Sequence, residues 1–92
     1  MPWWLEEGIR DRNHALLELG ERFFAELTVS RRARLISQLG SRYASTAWRF
    51  DEAREEMPEH YRNTPHEYLW RAFKSGAAMP LCERRLRHII AR

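Results

Sequence analysis

VSRRARLISQLGSRYASTAWRFDEAREEM, residues 29 to 57, carries the clearest period in the chain. Val29, Ile36, Tyr43, Phe50 and Met57 recur every seven residues, and Leu39, Thr46 and Ala53 supply a second row. An apolar stripe at that interval predicts one helix of about 28 residues, about 42 Å long at about 1.5 Å per residue, lying along the whole of a small domain. The second row is thin, so the stripe is expected to pack against neighbouring helices of the same chain and not to form a free coiled coil. Gly40 inside it marks a close crossing or a bend. Pro58 ends the helix, because the residue before a proline is disfavoured in helical geometry.

Upstream, Leu5, Ile9, Leu16, Leu19, Phe23 and Leu27 also follow a helical period. Asn13 interrupts that run and is a suitable N-cap, which predicts a helix over Asn13 to Leu27 preceded by a turn or short helix over Trp3 to Asp11. Thr28 or Ser30 caps the next one. Downstream, Thr64-Pro65-His66-Glu67 has the form of a capping box with proline at the first helical position. The helix it opens runs to about Lys74, burying Leu69, Ala72 and Phe73, and Ser75-Gly76 stops it. Pro80 opens a last helix with Cys82, Leu86, Ile89 and Ile90 on one face and Arg84, Arg85, Arg87 and His88 on the other.

No segment alternates apolar and polar residues as a half-buried strand does, and no hairpin dipeptide such as Asn-Gly occurs. The expected fold over residues 1–92 is therefore all-α: a single-domain bundle of four to five helices, with a long central helix over about 29–57 and a C-terminal pair of helices. Ninety-two residues leave no room for a second core. No apolar run approaches the roughly 20 residues of a membrane span, so no membrane partner is expected. The opening MPWWLEEGIRDR puts acids and arginines where a signal peptide needs apolar residues, and the single cysteine, Cys82, excludes an intramolecular disulfide. Both features fit a cytoplasmic protein.

Chemistry is poorly represented. The serines lack a nucleophile motif such as G-x-S-x-G, and no phosphate loop or dinucleotide fingerprint is present. His60, His66, His88 and Cys82 lack the paired spacing of zinc ligands. Asp51, Glu52, Glu55 and Glu56 have Arg49 and Arg54 nearby and read as a solvated face. Neither an enzyme nor a cofactor is expected.

Charge is more informative. The net charge is +3, with fifteen arginines and one lysine, Lys74. It is distributed in blocks: residues 28–50 carry +5, residues 51–60 carry −4, and residues 61–92 carry +5. Arginine is the residue of choice for phosphate and guanine contacts, although codon usage in a GC-rich genome gives the same skew.

Ala72 and Gly76 have the spacing of the small residue and turn glycine in helix-turn-helix modules, and the C-terminal pair resembles such a module over about a quarter of the chain. The resemblance implies a recognition helix bearing Arg84, Arg85, Arg87 and His88, with Arg71 and Lys74, joined by Arg31, Arg32 and Arg34, on phosphate. The connection between the helices is longer than those modules use, and Arg71 and Arg85 fall at positions that they fill with apolar residues.

The first expectation is thus a small DNA-binding or regulatory protein of bacterial or mobile-element type. The alternative is a non-enzymatic interaction module, an adapter, antitoxin-like partner or inhibitor, docking on a larger protein. Four tryptophans in so short a chain bear on that choice, since indoles are enriched at binding hot spots. Most are expected in the core, with Trp3 and Trp4 capping the bundle; the alternative makes Trp3, Trp4 and Trp48 the partner-binding residues. A homodimer is compatible with both.

Overall fold

The computed structural model describes residues 2–91, and among these every regular element is helical. Five α-helices follow one another: α1 (Trp3–Phe23), α2 (Val29–Ser45), α3 (Trp48–Asp51), α4 (Pro65–Lys74) and α5 (Glu83–Ile90), with a 3₁₀ turn at Glu59–Tyr61 before α4. The molecule measures 34 × 34 × 21 Å, so its thin dimension is two helix diameters. Leu16, Leu19, Ala33, Ile36, Leu69, Ala72 and Leu86 are wholly buried between the layers. The all-α bundle read from the sequence is the fold of the chain.

α1 is one continuous helix, where a turn and a helix starting at Asn13 were expected. The Asn13 side chain accepts the Arg12 guanidinium at 3.0 and 2.9 Å, so it offers the backbone no competing cap. Gly8 is accommodated because α1 is crossed there: a Cβ on Gly8 would lie 2.7 Å from the Ser75 carbonyl oxygen. The helix stops at Phe23, earlier than Leu27, because the chain wraps around Arg32. That guanidinium donates to the carbonyls of Phe24, Ala25 and Leu27 at 2.9, 2.9 and 3.1 Å.

Thr28 caps α2, its hydroxyl accepting the Arg31 N–H at 3.3 Å. The helix expected over 29–57 ends at Ser45 and resumes only for the short α3. Ser45 and Thr46 turn their hydroxyls back onto the carbonyls of Ser41 and Arg42 at 2.6 to 3.2 Å, and Thr46 leaves helical geometry at φ −122°, ψ −92°. Side-chain bonding of this kind competes with helix continuation. The seven-residue stripe accordingly holds in its centre, where Ile36 and Tyr43 are buried, and fails at its ends, where Val29 is exposed and Phe50 is 76% exposed.

The break after α2 brings Asp51 into the core. Its carboxylate, 4% exposed, accepts the hydroxyls of Tyr43 at 2.8 Å and Tyr61 at 2.6 Å, with Arg54 at 3.4 Å on the other oxygen. Asp51 is therefore not part of the solvated acidic face expected for residues 51–56; its neighbours Glu52, Glu55 and Glu56 are.

α4 starts at Pro65 as read, but the capping box is displaced by one residue. The Glu67 carboxylate accepts the Asn63 N–H at 2.7 Å, and the Thr64 hydroxyl donates to the Tyr61 carbonyl at 2.6 Å. Asn63 sits at φ +63°, which turns its N–H toward Glu67. Gly76 at φ +89° ends α4, a left-handed conformation that favours glycine.

The helix-turn-helix-like pair is corrected in its packing. α4 lies against α1, whereas α5 packs on α2 and α1, and the two helices do not line one another. Residues 75–82 hold them apart because the connection is fastened at three points. Arg12 donates to the Ala78 carbonyl at 2.7 Å, Ser37 donates to the Leu81 carbonyl at 2.5 Å, and Gly40 leaves the space that Leu81 occupies, its absent Cβ falling 3.0 Å from the Leu81 Cδ2. Gly40 marks a close crossing, as read, and not a bend.

Candidate functional site

α5 buries Leu86 and Ile90 and turns Arg84, Arg85, Arg87 and His88 to solvent. Alternation of a four-residue apolar step with charged positions between dictates this arrangement, since only one face of an eight-residue helix can reach the core. Among the described residues, none of Arg84, Arg85 and Arg87 has a carboxylate within ion-pair distance; the nearest acid on the helix, Glu83, lies 3.8 Å from Arg34.

A further guanidinium adjoins this face. Arg12 of α1 is held by the Ala78 carbonyl and the Asn13 side chain. Partial burial depresses its affinity for a proton, and the positive charge of Arg85 depresses it further. Two arginines that repel one another across a helix interface concentrate positive potential. Arg12 is 73 positions from Arg85, and no feature of the sequence links the two.

Cys82 forms the N-cap of α5 and is exposed. The backbone N–H groups of Arg85 and Arg84 favour its thiolate, and the guanidiniums of both residues add to the effect, so the thiol ionises below its ordinary range.

Arg71 and Lys74 do not join the α5 residues. Arg71 donates to Glu67 at 2.6 Å and stacks over the Tyr68 ring at 5.1 Å, and Lys74 donates to the Glu52 carbonyl at 2.8 Å and lies over the Trp70 ring at 5.9 Å. α1 separates the two groups. A groove along one of its flanks is lined by Ile9, Arg10, Leu17, His88 and Ile89, and one along the other by Asp11, Ala15, Trp70, Arg71 and Lys74, with His14 on the ridge between them. Of the six basic residues read from the sequence, Arg71 and Lys74 thus line the groove on one flank of α1 and His88 that on the other, while Arg84, Arg85 and Arg87 line neither. Arg32, expected near phosphate, is committed to the α1–α2 turn, and Arg34 approaches Glu83.

The tryptophans divide as well. Trp48 is half-buried between Tyr43 and Phe73, with ring centroids 6.0 and 5.3 Å away, and serves the core. Trp3 and Trp4 are 69% and 63% exposed, touching each other edge to face at 5.8 Å. They do not cap the bundle: the first turn of α1 extends past Gly8, where the 75–77 segment crosses it, and the rings stand in solvent.

Among the described residues no group of three or more His, Cys, Asp or Glu side chains converges to hold a metal ion. The buried Tyr43–Asp51–Tyr61 cluster is structural in its geometry, since both phenols are already committed to the carboxylate. No described helix is long and apolar enough to cross a membrane. No protein family matches this chain, and neither a curated protein nor a solved structure resembles it closely enough to count as a match.

Proposed function

We propose that the protein is a small non-enzymatic regulator that binds nucleic acid through the outward face of α5, with Arg84, Arg85 and His88 toward the ligand and Arg87 and Arg12 at its edges. The observation that carries this reading is the outward row of Arg84, Arg85 and Arg87 on α5, none of which has a carboxylate within ion-pair distance among the described residues, with the charge of Arg12 adding to that of Arg85. A patch of unneutralised positive charge attracts a polyanion, whose phosphates supply the opposite charge and whose released counterions supply the entropy. Arginine adds bidentate contacts to phosphate oxygens or to a guanine edge. Arg71 and Lys74, satisfied within the chain and on another side of α1, are not part of this surface.

A fluorescence-polarisation titration of labelled mixed-sequence duplex against salt tests the reading. Binding is expected at low salt, and removal of Arg84 or Arg85 is expected to reduce the slope of log K against log salt by about 0.9 for each phosphate that the variant no longer neutralises. Absence of binding at low salt, or a slope indifferent to both substitutions, would overturn it. The exposure of Trp3 and Trp4 favours a second reading, docking on another protein, which predicts no salt-dependent affinity for duplex.

A further inference from the structure

Trp3 and Trp4, touching edge to face, and Leu5 are exposed at the start of α1, and of the three only Trp3 lies on the outward line of the helix. The outward line of the same helix runs Trp3, Glu7, Arg10, His14, Leu17, Glu21, in alternating steps of four and three residues. That is the interval at which one helix lies along another. Leu17 is half-buried and the other five are exposed. Neither Glu7 nor Arg10 has an ion-pair partner among the described residues.

We propose that a second copy of this chain docks on that line, α1 against α1 and antiparallel, about a two-fold axis passing between Gly8 and Ile9. The charge pattern selects both the occupant and the direction. In this register Glu7 faces Arg10 of the partner subunit and Arg10 faces Glu7 of the partner subunit, so each unpaired charge meets its opposite and the pair forms twice per dimer. Trp3 lies against His14 of the partner subunit, which covers the indole with a flat ring. A parallel pair would set Glu7 beside Glu7 and Arg10 beside Arg10 of the partner subunit, and like charges held together are disfavoured. A two-fold contact requires a self-complementary patch of this kind. The line from Trp3 to His14 is only about 17 Å long at about 1.5 Å per residue, so the interface is smaller than the roughly 800 Å² per partner of a tight complex and the dimer is a weak one. The dimer line adjoins His88, with which Arg10 and His14 share a groove, but it includes none of Arg84, Arg85 and Arg87, so dimerisation without nucleic acid is tested independently of the nucleic-acid reading.

Sedimentation equilibrium of the whole chain, without nucleic acid and up to several hundred micromolar, tests the proposal. A reversible monomer–dimer equilibrium is expected. Trp3→Ala and each single charge reversal, Glu7→Arg and Arg10→Glu, should weaken the dimer about ten-fold or more, while the double reversal Glu7→Arg/Arg10→Glu restores it. Far-ultraviolet circular dichroism establishes that each variant remains helical, which is expected because all three positions are exposed. A wild-type chain that stays monomeric at the highest concentration overturns the proposal and leaves the indoles to a different partner. Failure of the double reversal to recover association overturns the antiparallel register.

Discussion

At the residue scale the decisive group is Asp51. A buried carboxylate is tolerated only when its charge is satisfied, and two phenol hydroxyls and Arg54 do so here. The same contacts hold both tyrosines protonated. Burial, and then the hydrogen bond and negative charge of Asp51, push Tyr61 up to about 12 from an ordinary value of 10.0, and push Tyr43 well above its ordinary range for the same reasons. Because the folded state retains these protons after the unfolded chain has lost them, stability is full below pH 10 and falls as pH rises toward about 12. Urea denaturation followed across that range should show the decline, and Tyr61→Phe should make it shallower while the contribution of Tyr43 remains. At neutral pH Asp51→Ala leaves two buried hydroxyls without an acceptor and is expected to destabilise the fold by about 2–4 kcal/mol. A loss below about 0.5 kcal/mol would mean that water replaces the carboxylate freely. None of this was legible in the sequence: Asp51 stands in an acidic run, and its two partners lie 8 and 10 residues away on other elements.

At the scale of elements, what decides is where helices and connections cross. Alanine in place of a helical glycine gains about 1 kcal/mol of helix propensity where nothing obstructs the methyl group. At Gly8 the obstruction is backbone, the Ser75 carbonyl at 2.7 Å, and overpacking of that kind costs about 1–3 kcal/mol. Gly8→Ala should therefore destabilise the protein. At Gly20 the nearest atom is the side-chain Cδ of Arg32 at 3.4 Å, an ordinary contact, so Gly20→Ala should be neutral or stabilising by up to about 1 kcal/mol. Thermal unfolding of the two variants side by side checks the contrast; an increase in Tm for Gly8→Ala would contradict the crossing. The starts of α2 and α4 and the end of α4 were readable, since Thr28, Pro65 and Gly76 act within a few residues of themselves, whereas α5 begins at Glu83, three residues after the Pro80 expected to open it. The end of α2 was harder, because a continuous seven-residue stripe concealed the hydroxyls of Ser45 and Thr46 that interrupt it.

At the scale of the whole molecule, α1 divides the basic side chains into two sets. Arg71 and Lys74 lie on its α4 flank, engaged with Glu67 and Glu52, and α5 contributes His88 to its other flank and carries Arg84, Arg85 and Arg87 exposed and unpaired among the described residues. Arg71→Ala and Lys74→Ala are accordingly expected to change affinity for duplex by less than about two-fold, against about ten-fold for the pair Arg84→Ala/Arg85→Ala, where a factor of ten corresponds to about 1.4 kcal/mol. Comparable losses from both sets in a polarisation titration would show that the ligand spans α1 and would enlarge the proposed surface.

The amino-acid sequence by itself determined the all-helical class, the starts of α2 and α4, and the amphipathic character of α5, because periodicity, caps and turn residues act over one or two turns of chain. Tertiary structure alone decided that α5 leaves α4 and packs on α2, that Arg12 joins Arg85, that Asp51 is buried and that Trp3 and Trp4 are not. Those outcomes depend on which surfaces meet across tens of residues. A helical face advertises that it must be covered, but the identity of what covers it is settled by the space left at Gly8 and Gly40 and by the anchors on the segment between the last two helices.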